Sequence, residues 1–447
     1  MSVKTLGIVL AVAVNLPAAA PSFSRDIQPI LQKNCQGCHQ PASRMSGLDL
    51  TTFEGFSKGG KRGPAFVTER PDDSIVVRYL TAALQPRMPL GEPALPANEI
   101  ALFREWIRDG AKNDSLPETT ELRLLMPIYL QPPVITALRF SPDGSEIAVS
   151  GNGEVLIHSV DESRPLRRLM GSAERILSLA YSLDGKLLMA GGGTPAQFGE
   201  VQIWDAKGGR LLRSARLTAD TVFGASLSPD GLKIAAGGTD NSVHLIETAS
   251  GKELYKVSTH ENWVLATVFG IDSKRLVSVS GDRAAKLIDA ASGAFLENVN
   301  LLRGELAAIA RHPTKDIVVI AGAERIPYIY LIDRPRNMKI ADDSTLVRKL
   351  ERQDGPITTL DWSPDGTRIA VAGAAPSVNL YDPETGERKA SCKGHDAGIY
   401  AVAFSPDSAK LATGGFDGKV RIYNSTDCTL IRAFVPAPLS EKRGFPQ

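Results

Sequence analysis

Cysteine is scarce: four in 447 residues, at positions 35, 38, 392 and 428. That count excludes a disulfide-built scaffold. Net charge is almost absent, with 51 Lys and Arg against 50 Asp and Glu. A broad nucleic-acid-binding surface is therefore not expected, and no basic cluster with interleaved aromatics occurs. Apolar runs long enough to span a bilayer, about 20 residues, are also missing. The longest, Leu6 to Leu16, follows Lys4 and precedes the small residues Ala18 to Ala20. Residues 1–20 thus read as a secretory signal peptide, with Pro21 moving the cut to just after Ser22. No cysteine near the cut offers a lipid anchor. The expectation is an exported, soluble protein of the periplasm or cell envelope, without an integral span once the signal is removed. Cys392 and Cys428 are expected as two unbridged thiols, although an oxidising compartment permits a bridge.

What is present falls into two textures. Residues 21–113 read as mostly helical with long loops. Phe23, Ile27, Ile30 and Leu31 make one helix face that runs into Cys35, and Ile100, Phe103, Trp106 and Ile107 make another that ends at Gly110. A Gly- and Pro-rich stretch from Gly47 to Pro96 separates them. A polar and then proline-stiffened linker covers 114–133. From Val134 short β-rich runs take over.

Within 134–438 a unit of about 43 residues recurs seven times. Each unit has an apolar strand, a turn, an apolar strand, a Gly-rich turn and a third strand ending in Asp or a substitute. The turns are SPDG at Ser141, SLDG at Ser182, SPDG at Ser228 and Ser363, and SPDS at Ser405, with degenerate IDSK at Ile271 and HPTK at His312. The third strands are EVLIHSV, EVQIWDA, SVHLIET, AAKLIDA, YIYLIDR, SVNLYDP and KVRIYNS. A period of about 40–45 with four short strands marks a propeller blade. These copies resemble the WD-repeat propeller family. The resemblance implies a seven-bladed all-β propeller followed by a tail, 439–447. It also implies blade-stabilising networks at His395, Thr413 and Asp417 and at His260, Ser278 and Asp282, with Tyr423 and Ile288 at the strand-three Trp position. The last blade closes either with a strand from Leu122 to Leu130 or with its own segment Thr429 to Val435. Asp143, Asp230 and Asp365 are turn residues, and His158, His244 and His312 carry packing or turn roles.

The stretch KNCQGCHQP carries the chemistry. C-x-x-C-H is the spacing of c-type haem attachment: two thiols add to the porphyrin vinyl groups and the adjacent His becomes the proximal iron ligand. A zinc site would need further ligands nearby, and a redox dithiol a βαβ context. Cys35, Cys38 and His39 are therefore the expected attachment points and proximal ligand. For the sixth ligand, Met88 in the proline-flanked QPRMPLGE is preferred over Met45, which lies too close to His39 to cross the porphyrin. Arg62 and Arg87 are read as solvated surface residues rather than propionate partners.

Residues 23–111 also resemble the planctomycete-type cytochrome c domain. The matching pieces are FSRDIQPIL before C-x-x-C-H, GLDL, RMP before the last helix, and WIRDGA at the end. The resemblance implies an all-α cytochrome c-like domain with one haem c held by Cys35, Cys38, His39 and Met88. It further implies fusion to a WD-repeat propeller, as seen here. Leu90 departs from the family, which usually has a second proline there. The expected function is single-electron transfer, with the propeller docking a redox partner protein. The alternatives are an oxidoreductase with a second cofactor in the propeller, and a haem sensor or peroxidase with an open sixth site. Gly191 to Gly199 and Pro335 to Pro356 are expected as irregular loops.

Overall fold

The computed structural model describes residues 21–40, 45–114, 126–162, 164, 166–332 and 342–440. The expected signal peptide, much of the linker and most of the tail lie outside these residues. The chain divides into two compact units, Met1–Glu121 and Leu122–Gln447, so the boundary falls inside the expected linker.

The first unit is helical. A π-helical turn, Phe23–Ile27, leads into α1 (Gln28–Asn34). Then come α2 (Phe53–Lys58), α3 (Ile75–Leu80) and α4 (Ala97–Arg108). Two of these helices interrupt the Gly- and Pro-rich stretch, where no apolar period was legible. At six residues each they are too short to show one. Thr52 caps α2 by accepting the N–H of Gly55, a helix-start signal that reads locally. The two long apolar faces meet as expected. Phe23 lies 5.5 Å from Trp106, which stacks on Phe56 at 6.0 Å and meets Phe66 edge-on at 5.0 Å. Trp106 is buried, and its Nε1–H donates to the Lys112 carbonyl. Gly110, at φ +96°, turns the chain out of α4.

The second unit is built of six antiparallel sheets among the described residues, five of four strands and one of seven. In the larger sheet the 15-residue strand Arg167–Tyr181 pairs twice. Its first part lies on Asn152–Ser159 and its second on Leu187–Thr194. Each of the seven segments read as third strands contains a strand bonded to the strand before it.

The turns explain why the repeats start where they do. In each S-x-D-G turn the Ser hydroxyl donates to the Asp carboxylate and accepts the N–H five residues after the Ser, as at Ser363, Asp365 and Arg368. Gly366 takes φ +75°, a conformation that costs Gly little. In HPTK the His312 ring replaces the hydroxyl, accepting the N–H groups of Thr314 and Lys315 at 3.1 and 3.0 Å.

The last sheet is completed by Leu430–Phe434, which pairs with Val420–Asn424, rather than by a strand drawn from Leu122 to Leu130. Of that segment, the described part contributes only an isolated parallel bridge between Tyr129 and Leu439. Two expectations are overturned. Cys392 and Cys428 form a disulfide, joining the end of strand Arg388–Cys392 to the turn before Leu430–Phe434 in the next sheet. Residues 191–199 are not a loose loop: they extend the strands Leu187–Thr194 and Phe198–Asp205, leaving a short turn.

Candidate functional site

Cys35, Cys38 and His39 share one turn at the end of α1. The Cys35 N–H closes the helix on the Leu31 carbonyl, and the N–H groups of Cys38 and His39 both donate to the Cys35 carbonyl. The next segment is tied back: the Leu50 N–H donates to the His39 carbonyl, and the Gln36 side chain donates to the Leu50 carbonyl. The turn therefore holds three reactive side chains on a braced backbone.

The thiols are not bonded to each other; Cys38 is exposed and Cys35 packs against the aromatic core. Burial, then the neighbouring Cys38, pushes the Cys35 thiol up to about 11. A redox dithiol needs the opposite shift, toward the thiolate. Among the described residues no three or more His, Cys, Asp or Glu side chains gather around a point suited to a metal ion. The thiols and imidazole are thus strung along a turn rather than collected as a tetrahedral ligand set. His39 places Nδ1 at 3.1 Å from the Met45 carbonyl oxygen. A neutral ring donating there keeps its lone pair at Nε2.

Met88 belongs to a different segment, the loop between α3 and α4. Its N–H donates to the Tyr79 carbonyl at 3.2 Å, and its side chain is half-buried. No hydrogen bond among the described residues links it to the Cys–His turn. Met45 is half exposed. Arg62 stacks over the Tyr79 ring, and Arg87 donates to the Glu92 carbonyl.

In the second unit both expected networks form. His260 joins Ser278 and Asp282, each at 2.8 Å. His395 meets Thr413 at 2.7 Å, while Arg421 bonds both His395 and Asp417. Sequence reasoning missed that Arg, and it missed the networks of the remaining sheets. Buried Glu154 accepts a two-pronged contact from Arg168 and the Tyr129 hydroxyl. Glu200 accepts from Ser172 and Gln202, and His244 sits between Asp240 and Glu253. No shared motif signals these, because each sheet fills the same place with different residue types. His158, read as packing, is half-buried against Phe434 and reaches the Pro436 carbonyl.

Two family models match. The planctomycete cytochrome C model covers residues 35–89, and the WD domain, G-beta repeat model covers 344–382 and 386–424. A WD repeat-containing protein 1 from Xenopus tropicalis is 26% identical over 230 residues, 48% of this chain and 35% of its own. Protein tipD from Dictyostelium discoideum is 22% identical over 391 residues, 82% of this chain and 62% of its own. Autophagy-related protein 16 from Arabidopsis thaliana is 23% identical over 254 residues. The chain spans about a third to three-fifths of the length of these relatives. The findings agree on a cytochrome c-like segment fused to WD repeats.

Proposed function

We propose that this protein is an exported c-type cytochrome that transfers single electrons, with a WD-repeat propeller as its docking platform. The observation that carries the reading is the turn bearing Cys35, Cys38 and His39, in which the Met45 carbonyl holds Nδ1 and leaves Nε2 available. The donor set suits a covalently attached haem: two thiols free to form thioethers, one imidazole with a fixed tautomer, and a thioether at Met88. Bound there, haem would supply a one-electron iron couple, with His39 and Met88 as the residues that would hold the iron and a Met ligand raising its potential. The chain's own part is to brace the attachment turn through Leu50 and Gln36 and to hold the Met88 backbone on Tyr79. The match over residues 35–89 supports the same assignment.

The seven-stranded sheet is best counted as two blades sharing the strand Arg167–Tyr181, which makes seven blades over 134–438. WD-repeat propellers generally serve protein–protein contacts, which favours a redox partner protein. Export is supported by the Cys392–Cys428 disulfide, a bond that persists in oxidising compartments. No helix among the described residues is long and apolar enough to cross a membrane.

The test is to produce the chain with a c-haem maturation system and record the oxidised spectrum. A near-infrared sulfur-to-iron band that vanishes in Met88→Ala is the expected result. High-spin iron without that band would replace the carrier reading with a sensor or peroxidase. Absence of covalent haem would overturn the proposal.

A further inference from the structure

A cavity of ≈ 700 Å³ runs through the second unit, lined by residues from seven strands, one from each repeat. Its wall mixes carbon, for example from Ala225, Ala266, Ile309 and Val402, with polar groups such as Thr136, Ser178, Thr267 and Thr358 in about equal measure. Charged side chains are few. Arg139 and Asp361 pair across it at 3.1 Å, and the second Asp361 oxygen accepts the Phe404 N–H. Arg311 remains.

The seven lining strands end in Phe140, Tyr181, Leu227, Phe269, Arg311, Trp362 and Phe404. Six of these are apolar or aromatic, and Arg311 alone is charged. These ends share one rim: Asp361 links the strands of Arg139 and Phe404, and His312 packs its ring 4.9 Å from Trp362. Arg311 is partly buried, and among the described residues its hydrogen bonds go to the carbonyls of His312 and Pro313, both from one nitrogen. It has no acid within ion-pair distance among the described residues; Asp316, the nearest in effect, accepts the Ile271 N–H instead. Burial lowers its pKa, and the charge of Asp316 offsets part of that shift. The Tyr181 hydroxyl, on another strand end lining the same cavity, is buried with no hydrogen-bond partner. An arginine with no acid partner among the described residues thus lines a chamber of mixed polar and apolar wall. A concave wall with apolar stretches and one placed cationic group suits a small ligand that carries both an apolar body and an anion.

We infer that this axial cavity binds a small organic carboxylate, its oxyanion on Arg311 and its apolar body against the channel wall. The guanidinium fork matches a carboxylate in two-pronged geometry. The inference does not depend on the haem assignment, because the cavity lies wholly within the second unit.

The experiment uses the full chain and measures calorimetric binding and thermal shift with hexanoate, benzoate, hexanamide and inorganic phosphate. Hexanoate or benzoate is expected to bind and raise the melting temperature, with hexanamide at least ten-fold weaker. Arg311→Leu, which copies the residue that Leu227 places at the equivalent strand end, is expected to remain folded and to weaken carboxylate binding at least ten-fold. Arg311→Lys is expected to retain part of it. Equal binding of hexanoate and hexanamide overturns the inference without any variant being needed. So does carboxylate binding unchanged in Arg311→Leu, no binding by either carboxylate, or binding of phosphate alone.

Discussion

The Nδ1 atom of His39 lies 3.1 Å from the carbonyl oxygen of Met45, six residues on. The contact sets which ring nitrogen carries the proton, and so which one would be free to meet iron if the proposed haem is attached. A second, backbone bond ties the ends of the same short loop, from the Met45 N–H to the Cys38 carbonyl. His39→Gln is therefore expected to abolish the low-spin spectrum of the haem-loaded protein. Replacing both Cys35 and Cys38 by Ala is expected to leave haem that acidified acetone extracts. Haem retained covalently by the double variant would refute the assignment.

Trp106 anchors the first unit, touching Phe23, Phe53, Phe56 and Phe66. Trp106→Ala removes that whole cluster's common neighbour and is expected to cost about 3–5 kcal/mol. The loss should appear as early unfolding of the first unit in calorimetry while the transition of the second stays put. A single shared transition that shifts as a whole would contradict the division into two units.

Cys392 and Cys428 close a loop of 36 residues and tie one sheet to the next. Chain-entropy arguments put the contribution of such a loop at about 3–4 kcal/mol. The double Ala variant, or the wild type under reductant, should lose that much in urea unfolding. Adding reductant to the variant should change nothing further.

His395 is wholly buried beside Arg421. Burial first and the Arg421 charge second push its pKa from 6.5 down to about 4. Between those values the unfolded chain binds a proton that the folded chain does not. Stability from this source is complete above pH 6.5 and declines as pH falls toward 4, by roughly 2–3 kcal/mol. His158 and His312 are shifted downward by burial as well. Urea unfolding at pH 7.5 and 4.5 should show the decline, and His395→Gln should make it shallower. A pH-independent wild type would argue that His395 is charged in the fold.

Ser278, His260 and Asp282 have the hydrogen-bond order of a hydrolytic triad. Ser278 is fully buried, so no acyl group reaches its hydroxyl. A fluorophosphonate probe is expected to leave Ser278 unlabelled. Ser278→Ala is expected to cost about 1–3 kcal/mol, because it strands a buried His nitrogen. Labelling at Ser278 would reverse this assignment.

Much was legible locally. The C-x-x-C-H turn follows directly from α1, the two long apolar faces met as their 3.6-residue period required, and every S-x-D-G tetrad became a turn. These features involve residues a few positions apart, so sequence distance stands in for spatial distance. The short helices α2 and α3 escaped notice because six residues do not display a period. Arg421 beside His395, and the residues bonding Glu154 and Glu200, escaped because each sheet solves the same polar problem with different side chains.

The sequence by itself determined the Cys35–His39 turn, the repeat length and the strand order, since each is written in contiguous residues and enforced by local hydrogen bonds. Tertiary structure alone decided that Cys392 meets Cys428, that Arg421 bonds both His395 and Asp417, and that Arg311 stands without an acid partner among the described residues that line the cavity. Those outcomes depend on which strand lies beside which after ring closure. Burial then makes each unmatched polar group costly, so the pairings that satisfy such groups, or leave them free, appear only once the sheets are packed.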